Sequence, residues 1–348
     1  MILYFSFIFF IILVNVPSLI FKKKKVKIIC ATISTIFLIC ILTFKSHSVG
    51  HDTQNYIESY GKPNGFEIGY RILSYTFYNL GLDFRFLQLF CYTITIIPIS
   101  LYFYFYSENL SFSYLLLFGF NIFTFFESGL RQTVAIGLIT LSYISLKKNH
   151  TFLFLIFVAF AFLFHKTALF FIITIFFRRR KLNVKYLTII LAISLAIFII
   201  GPKLYNVVYS LLQKGSYMPE DNDGGFFYLT TFIMVIVCFL IESSFFKKHF
   251  ENNPFLRKNK SKNKMLDLYC VVFYSLFYAT NSFSEIFSRV SLFYNIMVCA
   301  VLSNIISSFE NKKTRAVLYS IASFLFILFY WYTSLRNNYL NILPYSIF

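Results

Sequence analysis

Five polar stretches interrupt an otherwise apolar chain, and each carries a residue able to move a proton or hold an anion. The first is His51-Asp52-Thr53-Gln54-Asn55-Tyr56, followed by Gly65-Phe66-Glu67-Ile68-Gly69-Tyr70-Arg71. The second is Glu127-Ser128-Gly129-Leu130-Arg131-Gln132, the third His165-Lys166 inside a long apolar run. Arg289 opens a late run in Phe287-Ser288-Arg289-Val290, and Arg336 follows the final one. An arginine at the head of an apolar helix is costly unless paired or wetted, and its planar fork suits phosphate oxygens. Asp52, Glu67 and His165 are candidates to take a proton from a hydroxyl. Each has a plain structural alternative. Asp52 can cap a helix starting at Thr53. Glu67 with Arg71, and Glu127 with Arg131, have the i,i+4 spacing of a helical ion pair. Arg336 can be a solvated tail residue, and His165 a satisfied structural histidine.

The elements that must position these residues are membrane helices. The chain has 348 residues, 58% of them hydrophobic and 13% charged, with a mean hydropathy of +0.69. A soluble domain carries about a quarter charged residues. Apolar runs of near-spanning length recur from end to end, which predicts an all-α polytopic membrane protein. An outer-membrane barrel would alternate in short segments instead. The six cysteines all lie in apolar runs without metal-ligand spacing, so they read as small buried residues. No cleavable signal peptide is evident, and the first run reads as a retained helix with its N-terminus outside.

The net charge of +18 does not point to nucleic acid. Its largest clusters, Lys22 to Lys27, Arg178 to Lys185 and Lys247 to Lys264, separate apolar runs as cytoplasmic loops do. With those loops inside, spans are predicted over 2–20, 27–44, 86–106, 112–126, 131–146, 184–200, 227–246, 266–281, 289–307 and 316–333. Residues 66–82 are amphipathic and interrupted by Glu67, Arg71 and Asn79, so they predict an interfacial or re-entrant helix. The run 151–177 reads either as one helix or as two short ones meeting at His165, and the basic loops favour the second. The count is about twelve spans, within ten to fourteen, in one membrane domain covering 1–348. Its outer polar segment would be 45–85, its longest outer loop 201–226 and its main cytoplasmic loop 247–265. This topology puts His51, Asp52, Glu67, Arg71, Glu127, Arg131, His165, Arg289 and Arg336 at one outer membrane boundary.

Some chemistries leave recognisable motifs, and these are missing. The chain has no phosphate-cradling glycine loop of the nucleotide-binding type, no HExxH and no GxSxG. Energy for any reaction would come from an activated lipid-borne substrate or an ion gradient.

The ordered set of motifs resembles the EpsG family of bacterial polysaccharide polymerases. The residues that carry the likeness are His51-Asp52-Thr53-x-x-Tyr56, Glu67-x-Gly69-Tyr70 and Glu127-Ser128-Gly129-Leu130-Arg131-Gln132-x-x-Ala135. Phe164-His165-Lys166-Thr167-Ala168-Leu169, Arg289 and the closing Leu343-Pro344-Tyr345 complete it. The resemblance implies a multi-pass glycosyltransferase of the bacterial cytoplasmic membrane. It would join undecaprenyl-diphosphate-linked repeat units at the outer face into exopolysaccharide, capsule or O-antigen, without metal or cofactor.

On that expectation Asp52, Glu67 and His165 are the catalytic candidates. His51, Tyr56, Tyr70, Arg71, Glu127, Arg131, Gln132, Lys166, Arg289 and Arg336 are substrate-binding candidates. The 49 phenylalanines and 26 tyrosines would supply a lipid groove and sugar-stacking faces as well as packing. Expected partners are the lipid-linked oligosaccharide, membrane lipids, and by role a flippase and a chain-length regulator. Two rival readings stay open: a flippase for the same lipid, which inverted repeats would favour, and a membrane acyltransferase using His51 or His165.

Overall fold

A computed structural model describes residues 1–178, 263–279 and 285–347. Among them the chain is helical, with one isolated antiparallel bridge between Lys45 and Ile347. The predicted spans 184–200 and 227–246, the loop 201–226 and most of 247–265 lie outside the described residues. The chain divides into two compact units, Met1–Leu169 with Cys299–Phe348, and Phe170–Val298.

In the first unit the helices are α1 (Ile2–Phe21), α2 (Lys24–Thr43), α3 (Thr53–Glu58), α4 (Ile68–Asn79) and α5 (Phe84–Tyr106). These are followed by α6 (Leu110–Gly119), α7 (Ile122–Ser128), α8 (Leu130–Lys147) and α9 (Thr151–Phe164). The boundaries have local causes. Lys22 adopts a left-handed conformation that ends α1. Asp83 accepts a hydrogen bond from the Arg85 amide at 2.8 Å and caps α5, and Asn109 accepts from Phe112 at 3.1 Å and caps α6. Gly137 lets α8 lie flush on α5, since a methyl there would sit 2.5 Å from the Ile94 carbonyl oxygen.

The second unit begins in a 3₁₀ segment, Lys166–Ile173, that straddles the division, and continues into α10 (Thr174–Phe177) and α11 (Asn263–Ala279). It also holds the first part of α12 (Glu285–Ser307). Its aromatic core joins Phe177 to Tyr269 at 4.8 Å and Phe171 to Tyr294 at 4.9 Å. The chain returns to the first unit at Cys299 and adds α13 (Lys312–Tyr330), then a π-helical turn, Trp331–Leu335.

Among the described residues five helices are long and apolar enough to cross a membrane, six if the bent pair α6 and α7 counts as one span. The protein is a membrane protein. About twelve spans is more than the described residues support, because α8 and α9 lack the length or apolar character of a full crossing. The run predicted over 112–126 is bent by 59° between α6 and α7. Asn121 makes the break with a left-handed φ of 57°, a conformation Asn tolerates better than its neighbours. Its side chain accepts from Ser334 at 2.8 Å and donates to Thr333 at 3.0 Å, which ties the bend to the π-helical turn.

The helices of the first unit give it two distinct ends. At one, Lys27 Nζ donates to the Ser107 carbonyl at 2.7 Å, and Ser303 meets the Asn109 carbonyl at 3.2 Å. Lys147 Nζ lies 4.2 Å over the Tyr106 ring at the same end. The other end gathers the start of α1, the loop after α2, α3, α4, the α7–α8 junction, the end of α9 and the closing segment 338–347. The polar stretches of this unit converge there.

Candidate active site

The site grows from three helix termini. Glu67 is the N-cap residue of α4, Arg131 lies in the first turn of α8, and His165 is the C-cap of α9. Arg131 Nη1 and Glu67 Oε2 form an ion pair. The other carboxylate oxygen, Oε1, lies 3.4 Å from His165 Nδ1. Gly69 explains the approach, since a Cβ there would lie 2.9 Å from the Leu163 carbonyl oxygen. The start of α4 therefore presses against the end of α9 and brings Glu67 to His165.

An aromatic floor completes the arrangement. The Arg131 guanidinium lies 4.5 Å over the Phe66 ring and 5.8 Å from that of Tyr56. Arg131 Nε also donates to the Tyr56 hydroxyl at 3.2 Å. Tyr70 is fully buried and packs on Tyr56 and Phe66, both at 5.3 Å. Stacking and hydrogen bonding together hold the guanidinium plane in one orientation. Partial burial works to raise the Glu67 carboxyl, but the His165 contact and the Arg131 charge outweigh it and hold it at about 2. Glu67 is therefore a carboxylate at neutral pH, able to accept from an arginine and an imidazole at once.

A second polar cluster supports the first from beneath. Glu127 is buried and its Oε1 accepts from the Tyr4 hydroxyl at 2.9 Å. The Glu127 carbonyl accepts from Thr53 Oγ1 at 3.2 Å, and Thr53 Oγ1 in turn accepts from Lys45 Nζ at 2.8 Å. Burial, partly offset by Glu127, pushes the Lys45 ammonium down to about 8. The Asp52 amide donates to Ser128 Oγ at 3.1 Å. These contacts lock the start of α3 to the α7–α8 junction, and so fix Tyr56 relative to Arg131.

A family model for the EpsG family matches residues 28–347, nearly the whole chain. The chain belongs to the EpsG family. That family is of polysaccharide-polymerase-like type. No curated protein and no solved structure matches the chain.

In this EpsG-family chain the structure redraws several expected pairings. Glu67 joins Arg131 instead of Arg71, which is exposed. Glu127 joins Tyr4 instead of Arg131, because the helix breaks at Gly129 and the i,i+4 register is lost. Asp52 does precede a helix at Thr53, but its side chain makes no capping bond. The run 151–177 breaks at His165, as the basic loops favoured, and continues as a 3₁₀ segment.

The remaining candidates sit variously. His51 is exposed, with Nδ1 3.3 Å from Asn341 Nδ2. Gln132 is buried, and Lys166 is exposed beside His165. Arg336 stacks over Tyr332 at 5.4 Å. Arg289 is half-buried in the second unit. Among the described residues no three His, Cys, Asp or Glu side chains gather as metal ligands would. Sequence reasoning missed Tyr4, Lys45, Thr53 and Phe66. Only Lys45 carried a signal of its own, a charge at the boundary of an apolar run.

Proposed function

We propose that this EpsG-family protein is a polysaccharide polymerase that transfers a growing glycan from a lipid diphosphate to a lipid-linked acceptor unit. The reaction runs at the outer face of the bacterial cytoplasmic membrane. The observation that carries the reading is the convergence of Arg131, Glu67 and His165 on the aromatic floor of Phe66 and Tyr56. Glycosyl transfer from a lipid diphosphate needs a cation where the leaving group accumulates charge. It also needs a base near the acceptor hydroxyl and flat apolar faces against sugar rings. The described geometry supplies a member of each class within one helix junction.

The direction of the chain supports the outer placement. In the first unit, Lys22 to Lys25, Lys147, Lys148, Lys312 and Lys313 stand at helix termini of the end opposite the site. Lysine-rich ends face the cytoplasm, which leaves the site facing out. Undecaprenyl diphosphate is the lipid this reading assigns to donor and acceptor, with a flippase delivering both and a chain-length regulator acting on the product.

The test is to incubate the purified protein with its host's lipid-diphosphate repeat unit and resolve the products on a gel. A ladder is expected from the wild type, and none from Arg131→Ala at unchanged membrane abundance. Transfer of the intact lipid across a vesicle bilayer without a ladder would overturn the polymerase reading in favour of a flippase.

A further inference from the structure

We propose that Glu67 and His165 act as a dyad in which His165 Nε2 is the base and Glu67 the positioning residue. In this scheme Arg131 withholds Glu67 until a diphosphate arrives. The inference rests on the polymerase reading and deepens it.

Three observations carry it. First, the two Glu67 oxygens face different partners, Oε2 the guanidinium and Oε1 the imidazole. The 3.4 Å to His165 Nδ1 is longer than the roughly 2.7–2.9 Å of a closed charged hydrogen bond. The carboxylate is committed to Arg131 and only leans toward the histidine. Second, His165 is 7% exposed and neither of its ring nitrogens has a hydrogen-bond partner among the described residues, Nδ1 lying 3.4 Å from Glu67 Oε1. A buried polar atom without a partner is costly in a structural residue, and natural in one whose partner is a substrate group. Third, Nδ1 is the ring nitrogen that approaches a carboxylate, so closing that contact puts the N–H on Nδ1 and leaves the lone pair on Nε2. That tautomer is the one a base requires.

The cation and the carboxylate compete for each other and for the substrate. A diphosphate offers more charge and more acceptor oxygens than one carboxylate, and it draws the guanidinium fork away. Glu67 is then released to close on Nδ1, which fixes the imidazole's orientation and leaves Nε2 free to accept. Donor binding therefore arms the base. The charged and titratable groups around His165 are Glu67 at the cap of α4, Arg131 on α8, Tyr56 behind Arg131, Tyr70 on α4 and the exposed Lys166. From Thr151 to Phe164 α9 carries no ionisable side chain. In the step itself the acceptor hydroxyl gives its proton to Nε2 and its oxygen bonds to the donor's anomeric carbon. The bond from that carbon to the diphosphate oxygen breaks, and its electron pair leaves with the lipid diphosphate held by Arg131. The imidazolium then returns its proton to water.

The experiment measures steady-state kinetics of the purified wild type, Glu67→Gln, His165→Gln and the double variant. The substrate is the host's lipid-diphosphate repeat unit, with membrane abundance and Tm as folding controls. In Glu67→Gln, kcat is expected to fall about 100-fold while KM for the lipid stays level or drops, because the competitor for Arg131 is gone. The double variant loses no more than His165→Gln alone. Added imidazole restores part of the activity of His165→Ala.

Losses that add in the double variant, or a KM that rises in Glu67→Gln, would overturn the dyad while the polymerase reading stands. A wild type that makes no ladder would overturn both. If the variants fail the abundance and Tm controls, the imidazole rescue of His165→Ala decides, and its absence counts against the base.

Discussion

At one end of the first unit Arg131, Glu67 and His165 answer one another across three helices. At the opposite end Lys27 donates to the Ser107 carbonyl, with Glu108 in electrostatic reach, and Lys147 sits over the rings of Tyr106, Tyr143 and Tyr102. The first end pairs ionisable groups whose partners can be exchanged. The second anchors its cations mainly on backbone and aromatic faces that do not titrate near neutral pH. The difference teaches what charge is for at each end. Exchangeable pairs can respond to a substrate, whereas lysines on carbonyls and rings hold helix ends together.

That contrast can be broken by experiment. Its largest expected effect is the loss of all ladder product in Arg131→Ala. Next is Gly69→Ala, which forces α4 off the Leu163 carbonyl and separates Glu67 from His165. Misplacing a working group by about 1 Å costs roughly 100-fold in rate, so a large drop in specific activity at normal abundance is expected. Full activity there would show that the helix contact does not position the site.

Tyr4→Phe removes the Tyr4 hydrogen bond to the Glu127 carboxylate, the one that carboxylate makes among the described residues, and should cost about 1–3 kcal/mol. Thermal denaturation in detergent measures it. Lys147→Met at the opposite end should cost about 1 kcal/mol through its tyrosine contacts, with specific activity unchanged. A selective loss of activity there would erase the distinction between the two ends.

A further effect, confined to low pH, is on acid stability. The folded Glu67 carboxyl is held at about 2, below its ordinary 4.5. Its stabilisation is complete above about pH 4.5 and is lost as pH falls from there toward 2. Allowing for solvent screening, this amounts to roughly 1 to 2 kcal/mol. Wild-type Tm should therefore fall more steeply than that of Glu67→Gln over this window.

Much of the helical frame was legible before any coordinates. Apolar runs of spanning length named α1, α2 and α5 to within three residues at each end. The break at His165 was legible because two basic clusters cannot both face inward across a single helix. The bend at Asn121 was not, because apolar composition continues through it and only a left-handed φ betrays it. For the site, the residue types were legible and the partners were not. Glu67 and Arg71 have pairing spacing, but pairing is decided by how closely α4 approaches α9 and α8. A missing Cβ at Gly69 governs that approach, and nothing in the local sequence assigns it that task. Tyr4 was hidden because a tyrosine in an apolar run reads as packing until a buried carboxylate stands opposite.

The Tyr4 hydroxyl has a further consequence, for the order in which the protein is made. It lies 2.9 Å from Glu127 Oε1 and 3.1 Å from the Ile342 carbonyl, a partner 338 residues further along the chain. A ribosome adding about 5–20 residues per second takes tens of seconds to travel between them. Throughout that interval α1 is already in the bilayer, and Glu127 arrives there well before the closing segment that covers it. A nascent chain stalled short of Ile342 carries a carboxylate whose cover is incomplete.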